Sequence, residues 1–221
     1  MTPEILAALN AGAGRPLVRA VDRAEGGERL IDPSTDQSPL GRAAAAAARA
    51  DTSTEAEVDG RLWFLEVHNP PLQLVLTGAV HIAQTLAPMA MLAGYAVTVI
   101  DPRAPFATPA RFPGCTVTCA FPDEVLAAGS LGTRSALVAL AHDPKIDDPG
   151  LIAALKSETF YIGALGSRKS HAARLDRLKN VGFTVETLAR IHGPVGLPIG
   201  ARSPGEIAIS ILAQMTEVLR V

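Results

Sequence analysis

The chain has 221 residues, of which 48% are hydrophobic and 19% charged, and its formal net charge is -2. That apolar content builds a packed core and excludes a disordered or polyelectrolyte chain. The balance of 20 basic and 22 acidic side chains excludes a global field for nucleic acid. Aromatic residues are only 4% and alanine is the commonest residue, so the core is expected to be small and aliphatic, suited to close helix-on-sheet packing. Two cysteines cannot staple a chain of this length, and such usage fits a reducing cytoplasm.

The opening stretch carries an acid at Glu4 and no basic, apolar leader pattern, so no signal peptide is expected. A short helix is expected over 5–9. Leu17–Asp22 and Glu28–Ile31 flank Gly26-Gly27 as a hairpin, and 42–50 is helical by its alanine content. A second hairpin follows from Thr54–Val58, the turn Asp59-Gly60 and the strand 61–67. Pro70-Pro71 is the expected boundary between this small segment, 1–70, and a larger domain, 71–221. Residues 67–100 contain no Asp, Glu, Lys or Arg, yet Pro70, Pro71, Gln73, His81 and Pro88 interrupt them. A membrane helix needs about 20 mainly apolar residues, so a buried strand, turn, helix and strand is the better reading and no membrane contact is expected.

From Leu72 onward apolar runs alternate with helical stretches. The runs are Leu72–Thr77, 96–100, 115–117, 135–141 and 160–163; the helices are 81–93, 122–128, 149–157 and 167–180. In the last of these the apolar set is Ala172, Leu175 and Leu178, with the basic residues on the other faces. Ser203-Pro204-Gly205-Glu206 is a capping box with proline at the first helical position, opening a helix to about Arg220. This alternation predicts an α/β fold: a Rossmann-like, doubly wound parallel sheet with a small N-terminal α+β segment.

In such a sheet ligands bind beyond the carboxyl ends of the strands. The loop after the first strand, Gly78-Ala79-Val80-His81-Ile82-Ala83, invites a dinucleotide reading, with Asp101 lying about 20 residues further on as the ribose partner. Val80, however, replaces the glycine that lets the backbone approach a pyrophosphate, and its side chain is expected to stand over the helix start. The loop is thus either an NAD(P) site or a turn that binds no nucleotide. Gly163, Gly166, Ser167, Arg168 and Lys169 gather glycines, a hydroxyl and two cations at a helix N-terminus, where cations make sense if an anion arrives. The competing reading is a solvated turn. His142 and Asp143 form an acid/base pair only if their strand has already ended, since neighbours on a strand face opposite sides. Asp147 and Asp148 read as caps of the next helix. Cys115 and Cys119 lie ~13 Å apart if extended, too far to share zinc. No metal site, nucleophile elbow or Walker loop is present, so neither a hydrolase nor an NTPase is expected, and no catalytic residue is assigned. The glycine- and proline-rich stretch 191–202 either wraps a ligand edge or forms a contact between protomers, and a homodimer is expected.

Taken together, residues 78–83, 97–103 (VTVIDPR), 111–114 (RFPG), 142–148 (HDPKIDD), 161–168 (YIGALGSR), 191–200 and 203–209 (SPGEIAI) resemble the XdhC/CoxI family, accessory proteins of xanthine and carbon monoxide dehydrogenases, over about residues 72–218. The resemblance implies a cytoplasmic chaperone, more accessory protein than enzyme. It would bind the molybdenum cofactor, protect it during sulfuration by a cysteine desulfurase, and deliver it to a molybdenum hydroxylase apo-enzyme. It further implies phosphate contacts from Gly166, Ser167, Arg168 and the amides after Gly78, and polar contacts from His81, Asp101, Arg103, His142 and Asp143. Where the family commonly has Gly-Ala-Gly-His, this chain has Gly78-Ala79-Val80-His81, and Ala141 replaces a threonine. The family's usual N-terminal motif is not found in 1–70.

Overall fold

The computed structural model describes residues 1–11 and 14–220. They form two compact units, Met1–Pro70 and Pro71–Val221. In the first unit, α1 (Pro3–Ala11) precedes β1 (Leu17–Asp22) and β2 (Glu28–Ile31); α2 (Pro39–Ala50) then leads to β3 (Thr54–Val58) and β4 (Arg61–His68). The strands pair antiparallel in the order β2-β1-β4-β3. The helix α2 begins earlier than its alanine run because the Ser38 hydroxyl accepts the Gly41 N–H and Pro39 stands at the first turn. Its Leu40, Ala44 and Ala47 pack with Val18, Ala20, Trp63 and Leu65 of the sheet.

The second unit carries β5 (Leu72–Thr77), α3 (His81–Leu92), β6 (Tyr95–Ile100), a 3-10 turn at Pro109–Arg111, β7 (Thr116–Thr118), α4 (Pro122–Val125) and β8 (Ser135–Ala139). It continues through α5 (Pro144–Leu155), β9 (Tyr161–Ala164), α6 (Arg168–Asn180), α7 (Val185–Leu188), β10 (Ile191–His192) and α8 (Pro204–Arg220). All six strands run parallel in the order β10-β9-β8-β5-β6-β7. Strand order therefore reverses between β5 and β8, where chain direction sends successive crossovers to opposite faces.

Side-chain alternation on β5 divides the interior into two cores. Leu74 and Leu76 face α3 and α8 through Ala83, Leu86, Ala87, Ala208, Ile211 and Met215. Val75 belongs to the other core, where Leu137, Ile162 and Ala164 meet Leu151, Ala154 and Leu178 of α5 and α6. A parallel sheet must be covered on both faces, and small alanines let the helices approach closely.

The expected α/β architecture is thus present, with three local corrections. β8 ends at Ala139, two residues early, so His142 and Asp143 lie beyond the strand. α5 starts at Pro144 rather than at Pro149, because the Asp143 carboxylate caps it by accepting the Lys145 N–H at 2.9 Å. α7 and β10 occupy a stretch where the sequence pattern predicts no element. Leu137 is fully buried at the centre of one core. Leu137→Ala is expected to destabilise the protein by about 3 kcal/mol, read from the midpoint of urea unfolding.

Candidate functional site

The loops after β5 and β8 meet at the reversal of strand order. Gly78 has φ of +100°, and a Cβ there would lie 2.6 Å from the Ala141 amide nitrogen, so no other residue fits without moving backbone. Its N–H donates to the Ile100 carbonyl, while Leu140 N–H donates to the Thr77 carbonyl. Val80 departs from expectation. Its backbone is extended, with φ of -88°, and its half-buried side chain packs against the core rather than standing over the start of α3. His81, the first residue of that helix, is exposed at the edge.

Asp101 is fully buried and both of its carboxylate oxygens are engaged. Oδ2 accepts the Ala79 N–H at 2.7 Å and Arg103 Nη2 at 2.7 Å; Oδ1 accepts Arg103 N–H and Nε, each at 2.9 Å. Burial alone would raise this carboxyl, but the Arg103 guanidinium and the two backbone donors outweigh it and hold Asp101 below the usual range. Arg103 in turn lies over the Phe106 ring at 4.6 Å, with Arg111 also within reach of that ring at 5.4 Å. Arg111 anchors the same loop by donating to the carbonyls of Ala79 and Phe106 and to Gln84 Oε1.

Beyond β8, His142 adopts a left-handed backbone with φ of +59°, uncommon for a residue with a side chain. Asp143 is the cap of α5, not a free partner of His142. Asp147 and Asp148 are not caps, a second correction. Asp147 is 2% exposed and accepts the Ala141 N–H at 3.0 Å; Asp148 pairs with Arg177 through two bonds of 2.6 and 2.9 Å. Burial pushes the Asp147 carboxyl up to about 6, against the opposing pull of the Ala141 N–H and of Arg174.

At the next loop Gly163 lies inside β9, paired with Val138 and His192, and a Cβ there would strike Val195 at 2.5 Å. It is a packing glycine, a correction to its placement in the anion loop. Gly166 keeps a loop role: φ is +142°, and a Cβ would meet Ser170 Oγ at 2.6 Å. Ser167 caps α6 by accepting the Ser170 N–H, and Arg168 is exposed at the first turn.

The residue that sequence reasoning misses is Arg174. Its type places it on the solvated side of α6, whereas it is 4% exposed and Ala172 is less buried than it. Its Nη2 donates to the Leu165 carbonyl at 2.8 Å, but Nε and Nη1 are buried without a hydrogen-bond partner. Arg174 stands four residues before Leu178, on the stripe that it shares with His171 and Leu175, and that position is the available signal. With His142, Pro144, Asp147, Ser170, Ala173 and Arg177 it lines a cleft of about 120 Å³.

The 191–202 stretch is tied down within its unit: Val195 N–H donates to the Ala164 carbonyl, Leu197 N–H to that of Ser210, and Gln214 Oε1 accepts from both the Tyr161 hydroxyl and the Gly196 N–H. Cys115 is half-buried beside Met91, and Cys119 is exposed near the Pro102 carbonyl. Among the described residues no cluster of three metal-ligating side chains occurs, and no helix is long and apolar enough to cross a membrane.

The six-stranded parallel order, with polar loops at the carboxyl edge, defines a Rossmann-type domain. The XdhC Rossmann domain family matches residues 74–215, and the chain belongs to that family. It is 31% identical over 149 residues to the molybdenum cofactor insertion chaperone PaoD of Escherichia coli K12, covering 67% of this chain and 41% of that protein. It is 30% identical over 155 residues to a probable xanthine dehydrogenase component of Bacillus subtilis 168, covering 70% of this chain and 45% of that one. The chain thus spans less than half the length of these relatives. A crystal structure described as a xanthine dehydrogenase from Bacillus halodurans shares the fold, with a TM-score of 0.60 and 20% identity, covering 98% of this chain and 93% of that one.

Asp147 supplies a pH signature. Its folded carboxyl titrates near 6 against 3.8 unfolded, so the folded state binds the extra proton between those values. Its stabilising contribution is full below the unfolded value and is lost as pH rises through about 6. Asp147→Asn is expected to flatten that slope and to raise stability at neutral pH by on the order of 2 kcal/mol, measured by urea unfolding across pH.

Proposed function

We propose that this chain binds the molybdenum cofactor as cargo and assists its insertion into a xanthine dehydrogenase-type molybdenum hydroxylase. A cysteine desulfurase supplies sulfur to the bound cofactor, and the setting is cytoplasmic. Membership of the XdhC family and the name of PaoD support the reading. The observation that carries it is the state of Asp101. A dinucleotide site needs an acidic side chain free to accept ribose hydroxyls. Here both carboxylate oxygens are consumed by Ala79 and Arg103. The edge keeps the ligand position of the fold without the ribose acceptor, which disfavours an NAD(P)-dependent oxidoreductase.

A pterin with a phosphate or nucleotide tail asks for N–H donors at one end and polar side chains along a flat ring. Gly166, Ser167 and Arg168 at the start of α6 are assigned to the phosphate end. His81 and His142 at the edge, and the Arg103 guanidinium over Phe106, are assigned to the ring. Asp101 and Asp143 act as positioning residues, one through Ala79 and Arg103 and the other through α5. Such contacts exchange readily, as delivery requires, and no nucleophile is called for.

The test is extraction of cofactor. Chain purified from a cofactor-replete host is denatured and oxidised, and the supernatant is examined for pterin fluorescence. Fluorescence is expected, reduced several-fold in Arg168→Ala. Absence of pterin together with tight NADH binding overturns the reading in favour of the oxidoreductase.

A further inference from the structure

We propose that the cleft between α5 and α6 is an oxyanion site built on Arg174 and gated by the protonation of Asp147. The ligand class is a phosphate or sulfate group, alone or as the end of a larger molecule. The proposal deepens the cofactor reading, which assigned the phosphate to Ser167 and Arg168, and rests on it only for the identity of the larger molecule.

Two nitrogens of Arg174, Nε and Nη1, are buried without hydrogen-bond partners in a residue that is 4% exposed and helps line the cleft. Buried donors left unsatisfied cost about 1–3 kcal/mol each, more on a charged group, so a site that retains them is completed by a ligand. Nε and Nη1 lie on different edges of the guanidinium, each beside Nη2, so one tetrahedral anion engages one of them together with the N–H that Nη2 does not spend on the Leu165 carbonyl. Ser170 lies on the same wall, and Gly166 brings the loop backbone close, since a Cβ there would fall 3.8 Å from Arg174 Nη2.

Asp147 opposes an anion, and this is where the gate arises. The other cation on the wall, Arg177, is committed to Asp148, while Arg174 has no direct ion pair among the described residues. An approaching anion faces Arg174, the neutralised Arg177–Asp148 pair, His142 and Asp147, and Asp147 also feels the Arg103 guanidinium from the loop after β6. His171 stands behind, held towards its neutral form by burial and by Arg174. A carboxyl titrating near 6 takes up a proton as the anion enters, converting a repelling charge into an O–H donor. Binding and proton uptake are linked, so affinity rises as pH falls through that range.

The probe is sodium sulfate, a dianion throughout the range, titrated calorimetrically into the full chain at constant ionic strength. Binding is expected, tighter below the Asp147 range than above it, with net proton uptake. Arg174→Gln is expected to weaken it by about tenfold or more. Asp147→Asn retains an acceptor for Ala141 and is expected to tighten binding and remove its pH dependence. Absence of sulfate binding, wild-type affinity in Arg174→Gln, or weaker binding in Asp147→Asn each overturns the proposal. Repeating the titration with a phosphorylated pterin and with inorganic phosphate separates the two sources. Sulfate binding that follows these rules while extraction yields no pterin leaves the site standing and removes the cofactor reading alone.

Discussion

The backbone of Gly78 lies against that of Ala141, and the carboxyl edge of the large sheet is organised around that contact. Only a residue without a Cβ allows β5 and β8 to leave the sheet so close together at the point where strand order reverses. Each side of the contact is then fastened by a buried aspartate. Asp101 holds the Ala79 amide and Asp147 holds the Ala141 amide, so two carboxylates from different crossovers clamp one junction.

The two carboxylates do the same mechanical work in opposite electrostatic settings. Asp101 is paired at both oxygens with Arg103, stays ionised, and is lost to any ligand. Among the described residues Asp147 has no ion pair at its oxygens, and burial outweighs the pull of the Ala141 and His142 N–H groups and of Arg174, so its carboxyl is pushed up to about 6, where proteins respond to pH. A structural clamp on one side and a titrating group on the other make the two ends of this edge chemically different, and the proposed anion is placed in the cleft beside α6 on that ground. Arg174 fits the same logic: its charge is offset only at a distance, and it helps line the cleft while Nε and Nη1 stay buried without hydrogen-bond partners.

Legibility from sequence follows the physics of each signal. Strand and helix order is readable because apolar runs, Gly and Pro punctuation and capping chemistry are local, and Ser203 with Glu206 closes its box as its spacing demands. Boundaries slip where a cap competes with a proline: Asp143-Pro144 starts α5, and Pro149 is carried inside it. Gly163 looks like a loop glycine because its neighbours do, yet its reason is Val195, a residue from a different loop far along the chain. Arg174 is hidden for a related reason. A basic residue on a basic helix reads as solvated unless its position on the apolar stripe is weighed above its type.

Sequence alone determined the α/β class, the run of strand and helix, the polar character of every loop at the ligand edge and the family that those loops resemble. These follow from periodicity and short-range chemistry, which act between residues a few positions apart. Tertiary structure alone decided which polar groups are spent and which are free. Asp101 is consumed by Arg103 and Ala79, Asp148 by Arg177, and Asp143 by the first turn of α5, whereas two donors of Arg174 are left over. That partition depends on distances of a few ångströms between residues from separate crossovers, and hydrogen bonds and desolvation are decided at that range.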